Sequence, residues 1–131
     1  MLATYQSGLE VVDAWISGIN SGNLDRVLDL YAEEAILLPT FSTQVRRGKI
    51  AISQYFLELV EDPDLAVNLH DKSVRCHAMD EVHEIVCGLY RFTRQVDGIF
   101  LNFEARFTFV CNLNIPNPIV HHHSSQVPRG I

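Results

Sequence analysis

Apolar residues recur at helical spacing along the first half of the chain and closer to every other position along the second. Leu9, Val12, Trp15, Ile16 and Ile19 fall on one face of a helix. "NSGN" at 20–23 ends that helix, with Gly22 as its C-terminal cap. Asn23 then caps a short second helix, whose apolar face is Leu24, Val27, Leu28 and Tyr31. "AILLPTF" at 35–41 reads as a short buried strand broken by Pro39. After the turn "RRGK", a third helix, "IAISQYFLELVED", lines up Ile52, Tyr55, Phe56 and Leu59, and Asp62-Pro63 stops it.

The second half changes period. "AVNLHDKSVRCHAM" (66–79) partly alternates, and "VHEIVCGLYRFTRQV" (82–96) is long and rich in β-formers. Asp97-Gly98 is a strong hairpin signal. "IFLNFEARFTFVCNL" (99–113) follows as a second long strand, "NIPNP" interrupts, and "IVHHHSS" reads as a last strand. Glu104, Arg106 and Thr108 share one face of the long strand; Phe103, Ala105, Phe107 and Phe109 share the other. Three helices followed by hairpin-linked strands predict an α+β fold, a single domain over residues 1–131. Its helices would pack on a strongly curved, mostly antiparallel sheet to form a cone, with a small-ligand pocket at the open end.

Composition removes several function classes. Hydrophobic residues make up 47% of the 131, enough for a packed core, and the formal net charge is -6. An acidic chain is a poor match for nucleic acid or an anionic membrane surface. No signal peptide is visible at the N-terminus, and no apolar run approaches the length of a membrane span, so a cytoplasmic location is expected. Cys76, Cys87 and Cys111 have no paired spacing and read as free thiols among β-forming residues. His121-x-His123 could chelate a metal from a strand, but a third ligand has no recognisable spacing, and neither metal nor cofactor is expected.

"VVDAWISGINSGNLDRVLDLYAEEAILLP" followed by "GKIAISQYF" resembles the nuclear-transport-factor-2-like superfamily, in its SnoaL-like and ketosteroid-isomerase-like branch. "GLYRFT", "ARFTFV" and "IVHHHSS" look like the association-domain family of calcium/calmodulin-dependent kinase II and its free-standing bacterial relatives. The resemblance spans roughly residues 8–128. It bears on "VHHHSSQVPRG" at 120–130, whose spelling is close to an expression-tag remnant. The family closes its sheet with an Ile-Val-His-x-His-Ser-like strand, so the segment is read as native, and the trailing "VPRGI" is assigned no role. "NLNIPNP" departs from the family's usual final turn.

The resemblance also implies a test for isomerase chemistry. The oxyanion tyrosine of the ketosteroid isomerases falls on Trp15 and their base on Pro39, which removes both functional groups. The kinase association domain implies pocket arginines at Arg91 and Arg106, while its third arginine falls on Ser124. Such a pocket would suit a small carboxylate; alternatively Arg106 pairs with Glu104, and Arg91 is solvated or at an interface. His122 lies on one strand face with Ser124 and either lines the pocket or sits at the surface. Trp15, Tyr31 and Tyr55 are expected in the core and pocket wall. The expected function is small-ligand binding or self-association, with a homodimer as partner state and a larger ring as the other form. The alternative is a SnoaL-like enzyme using Glu104, Arg106 and His122 on a small or polycyclic organic substrate.

Overall fold

Ser7 opens the first helix, α1 (Gly8–Asn20), its hydroxyl accepting from the Glu10 amide at 3.2 Å and satisfying a first-turn donor. Past its end, Gly22 takes a φ of 66°, the left-handed conformation that closes helices. Asn23 caps α2 (Leu24–Leu28) by accepting from the Arg26 amide at 3.1 Å. The remaining elements are β1 (Tyr31–Leu38), β2 (Arg46–Arg47), α3 (Gly48–Leu59), β3 (Ala66–Leu69), β4 (Arg75–Ala78), β5 (His83–Val96), β6 (Ile99–Asn112) and β7 (Ile119–Gln126). The computed structural model describes residues 4–128, so the last residues of "VPRGI" lie outside the described residues.

The strands form one curved, unclosed sheet of seven, in the order β2-β1-β7-β6-β5-β3, with β4 also paired to β5. Every pair is antiparallel except β1 with β7. The α+β class and the mostly antiparallel sheet match the expectation. "IVHHHSS" is strand β7, paired to β6 on one side and β1 on the other, so it closes the sheet's interior rather than trailing from it. The β5–β6 hairpin turns through Asp97 and Gly98 at φ 52° and 78°, the paired left-handed residues of a type I′ turn.

Three local readings need correction. Tyr31 is not on α2; it starts β1, where it pairs with Ile119 while the Ile119 amide donates to the Leu30 carbonyl at 2.8 Å. A parallel ladder with a strand some ninety residues away overrides a helical spacing that five residues cannot sustain alone. Pro39 follows β1 rather than interrupting a strand. The 66–79 stretch splits into β3 and β4 around a turn at Asp71–Ser73, where the Ser73 hydroxyl bonds both the His70 carbonyl (2.6 Å) and the Leu89 amide (2.8 Å).

The core lies between the helices and one face of the long hairpin. Val86, Tyr90 and Phe92 of β5 and Ala105, Phe107, Phe109 and Cys111 of β6 are buried there. On α1 the buried stripe is Val11, Val12, Ala14, Trp15, Gly18 and Ile19, while Leu9 is 41% exposed, unlike the expected face. α2 crosses α1 so closely that a Cβ at Gly18 would stand 2.8 Å from Val27 Cγ2, which turns the buried stripe toward that contact. The Asn20 side chain donates to the Val67 carbonyl at 2.9 Å and accepts from its amide at 2.7 Å, pinning the end of α1 to β3. Among the described residues no helix is long and apolar enough to cross a membrane.

Candidate functional site

Alternation along β7 puts His122 and Ser124 on the inner face and His121 and His123 on the outer one. His122 is wholly buried between two tyrosines: its Nδ1 lies 2.7 Å from the Tyr31 hydroxyl and its Nε2 3.2 Å from that of Tyr90. Trp15 Nε1 donates to the Tyr31 hydroxyl at 3.0 Å, and Tyr90 donates to Ser124 Oγ at 2.5 Å. Ser124 is hydrogen-bonded in turn to Thr40.

An indole only donates, and that sets the direction of the chain. One arrangement uses every proton: Trp15 N–H to Tyr31, Tyr31 to His122 Nδ1, His122 Nε2–H to Tyr90, and Tyr90 to Ser124. In it the imidazole is neutral with its proton on Nε2. Burial drives the same way, holding His122 well below the ordinary histidine range and pushing the Tyr31 and Tyr90 hydroxyls up. Burial likewise takes Tyr55 up to about 12, its hydroxyl accepting from the Phe41 amide at 3.3 Å. Burial thus favours the neutral form of each of these groups.

The space around this network is nearly filled. Trp15 stacks on Tyr90 at 5.5 Å between ring centroids, and His122 meets the Phe109 ring at 4.1 Å. The void lined by Trp15, Leu37, Pro39, Tyr55, His122 and Ser124 is about 10 Å³, room for about one water. Trp15 and Pro39, the two positions that lack the isomerase groups, thus face the same small void.

The charged candidates lie elsewhere. Glu104, Arg106 and Thr108 do share a face, as alternation predicts, but it is the outer one. Arg106 is exposed between Leu89 and Ser125 in register, and the Glu104 carboxylate accepts from His70 Nε2 at 2.7 Å on the surface. Arg91, in register with Glu104 and Asn68, is on that face as well. The expected grouping of Arg91, Glu104 and Arg106 beside His122 is therefore corrected. The helices cover the aromatic face because burying Phe103, Ala105, Phe107 and Phe109 is favourable and burying unpaired charges is not. Tyr90 was missed, although its alternation with Phe92 and Val86 marks it as inward-facing. Among the described residues no third ligand joins His121 and His123 for a metal.

The outer face carries Ile85 and Leu89 of β5, Val110 of β6 and Ile36 and Leu38 of β1 beside His121 and His123, while among the described residues the helices pack on the aromatic face. The family model described as the calcium/calmodulin dependent protein kinase II association domain matches residues 6–128. The chain belongs to that family. A calcium/calmodulin dependent protein kinase II association-domain structure from Xanthomonas campestris is 29% identical, with a TM-score of 0.82 over 93% of this chain and 86% of that one. A ketosteroid isomerase-like protein from Erwinia carotovora atroseptica (12% identity, TM-score 0.75, 92% and 93% covered) shares the fold. So does a nuclear transport factor 2-like superfamily protein from Salmonella enterica serovar Typhimurium (19%, 0.76, 93% and 90%). No curated protein sequence matches the chain. Within the association-domain family, the aromatic interior here is held by a hydrogen-bonded chain and the charged positions are turned outward.

Proposed function

We propose that this association-domain protein works by self-association, two copies pairing through the outer face of the sheet. The observation that carries this reading is the outer face: it mixes Ile36, Ile85, Leu89 and Val110 with Arg106, His121 and His123, while among the described residues the helices pack on the opposite, aromatic face. A sheet apolar on both faces is ordinarily covered on both. Arg91 supports it further, since its Nε is buried without an acceptor in the single chain and a partner surface could supply one. What favours this over catalysis in the cone is the filled interior, where a substrate would have to displace Trp15, Tyr90 or Phe92.

Light scattering coupled to size-exclusion chromatography tests the reading directly. The expected mass is about twice the 14.8 kDa of the chain, and Val110→Lys is expected to reduce it to the monomer while circular dichroism stays unchanged. A closed ring would appear as a higher even multiple that Val110→Lys also lowers. A monomeric wild type, or a Val110→Lys variant of unchanged mass, would refute pairing through this face.

A further inference from the structure

His121 and His123 are the titratable side chains of β7 that the buried network leaves out. Two residues apart on one strand, they project from the same outer face, His121 half-buried and His123 exposed. In register, His121 lies between Ile36 of β1 and Val110 of β6, and His123 between Leu38 and Thr108. These neighbours are apolar or neutral; Arg106, the nearest charged position along β6, lies beyond Thr108, opposite Ser125. No carboxylate pairs with either ring: among the described residues the ion pairs to histidine are His70–Glu104 and His83–Asp80. Burial, and then the charge of His123, hold His121 below the ordinary histidine range. A neutral ring keeps the lone pair that binds a metal.

Same-face residues of a strand stand about 7 Å apart, so two imidazoles can converge on a single ion bound at about 2.0–2.1 Å. Such a pair is half of a tetrahedral site, and the other half need not come from the same chain. β7 and β6 are the middle strands of the sheet path, with β1 and β2 on one side and β5 and β3 on the other. Ile36 and Val110, apolar residues of the pairing face, flank His121 directly. The histidines therefore sit inside the apolar patch rather than at its rim. In a two-fold pairing the middle of a patch meets the middle of the same patch on the second copy. Strand β7 then lies across its own copy, and each chain brings two imidazoles to the axis.

We propose that His121 and His123 of two copies together hold one zinc ion, in a site that neither copy completes alone. The proposal rests on pairing through the outer face and goes beyond it by naming what joins the copies. Zinc has no geometric preference of its own and accepts a tetrahedral set of neutral imidazoles; magnesium and calcium take oxygen ligands, which this site does not offer. Protonation of the rings competes with the metal, so acidification releases it.

Light scattering across a dilution series tests the site, on the chain stripped with EDTA and then with zinc chloride or magnesium chloride added, with cobalt as a spectroscopic probe. Zinc is expected to tighten pairing by at least about tenfold, magnesium to leave it unchanged, and calorimetry to count one zinc per two chains. Cobalt is expected to give the strong visible absorption of a tetrahedral site. His121→Gln and His123→Gln are each expected to abolish the zinc effect while keeping the mass of the stripped wild type, and His77→Gln, on the exposed β4, to leave the effect intact. A stripped chain that pairs but gains nothing from zinc would overturn the site and leave the pairing standing. So would a ratio of one zinc per chain, or zinc-tightened pairing that survives both glutamine variants. A chain monomeric with and without zinc would overturn pairing and site together. Weakly coloured, octahedral cobalt would overturn the four-histidine set, a result that depends on no variant.

Discussion

Acidification tests the buried histidine most sharply. In the folded chain His122 is wholly enclosed and burial holds its pKa well below the ordinary value of about 6.5 that the unfolded chain recovers. Below about pH 6.5 the unfolded state therefore binds a proton that the folded state refuses, so stability falls as pH falls. The slope from this one group approaches about 1.4 kcal/mol per pH unit for as long as the folded ring stays neutral. Above about pH 6.5 the contribution is complete and the slope vanishes. For a chain of this length, with a total stability of about 5–15 kcal/mol, two pH units of acidification would remove a substantial fraction. Urea denaturation at pH 7, 6 and 5 measures it, with His122→Gln as the comparison, because glutamine retains hydrogen-bonding groups and does not titrate. The wild type is expected to lose its advantage over the variant as the pH drops. His121, also shifted downward by burial and by His123, is present in both proteins and cancels. Asp80, taken down to about 2 by the Val82 and His83 amides, acts only at lower pH. Parallel pH profiles for the two proteins, or a His122 imidazole that titrates near 6.5 by NMR, would refute the reasoning.

The remaining expectations are structural. Tyr31→Phe removes the hydroxyl between Trp15 Nε1 and His122 Nδ1 and is expected to cost about 2–4 kcal/mol in urea melts, with a shift in Trp15 fluorescence. An unchanged melt would mean the two orphaned groups find other partners. Asn20→Ala unties both backbone groups of Val67 and is expected to cost about 2–4 kcal/mol, with faster amide exchange along β3. Gly98→Ala forces a side chain onto a φ of 78° and is expected to cost about 1 kcal/mol by thermal melting; an equal or higher melting temperature would count against the assigned turn.

Local signals carried much of the fold. The Asn23 cap, Gly22 past the first helix and the Asp97-Gly98 turn work through hydrogen bonds and backbone angles within a few residues, so their positions could be read in order. Alternation along β6 and β7 likewise sorted Glu104 from Phe103 and His122 from His121. Tyr31 was misplaced because its element is decided by Ile119, far along the chain, and not by its neighbours.

The sequence by itself determined where the helices and the hairpin fall, Tyr31 apart, and which side chains share a strand face, since both follow from bonding geometry repeated along the backbone. Only the tertiary structure decided which face is inside. Period-two alternation has no sign; the sign comes from α1 and α3 covering the aromatic side. That one choice encloses His122 between Tyr31 and Tyr90 and turns Arg106 and Glu104 outward.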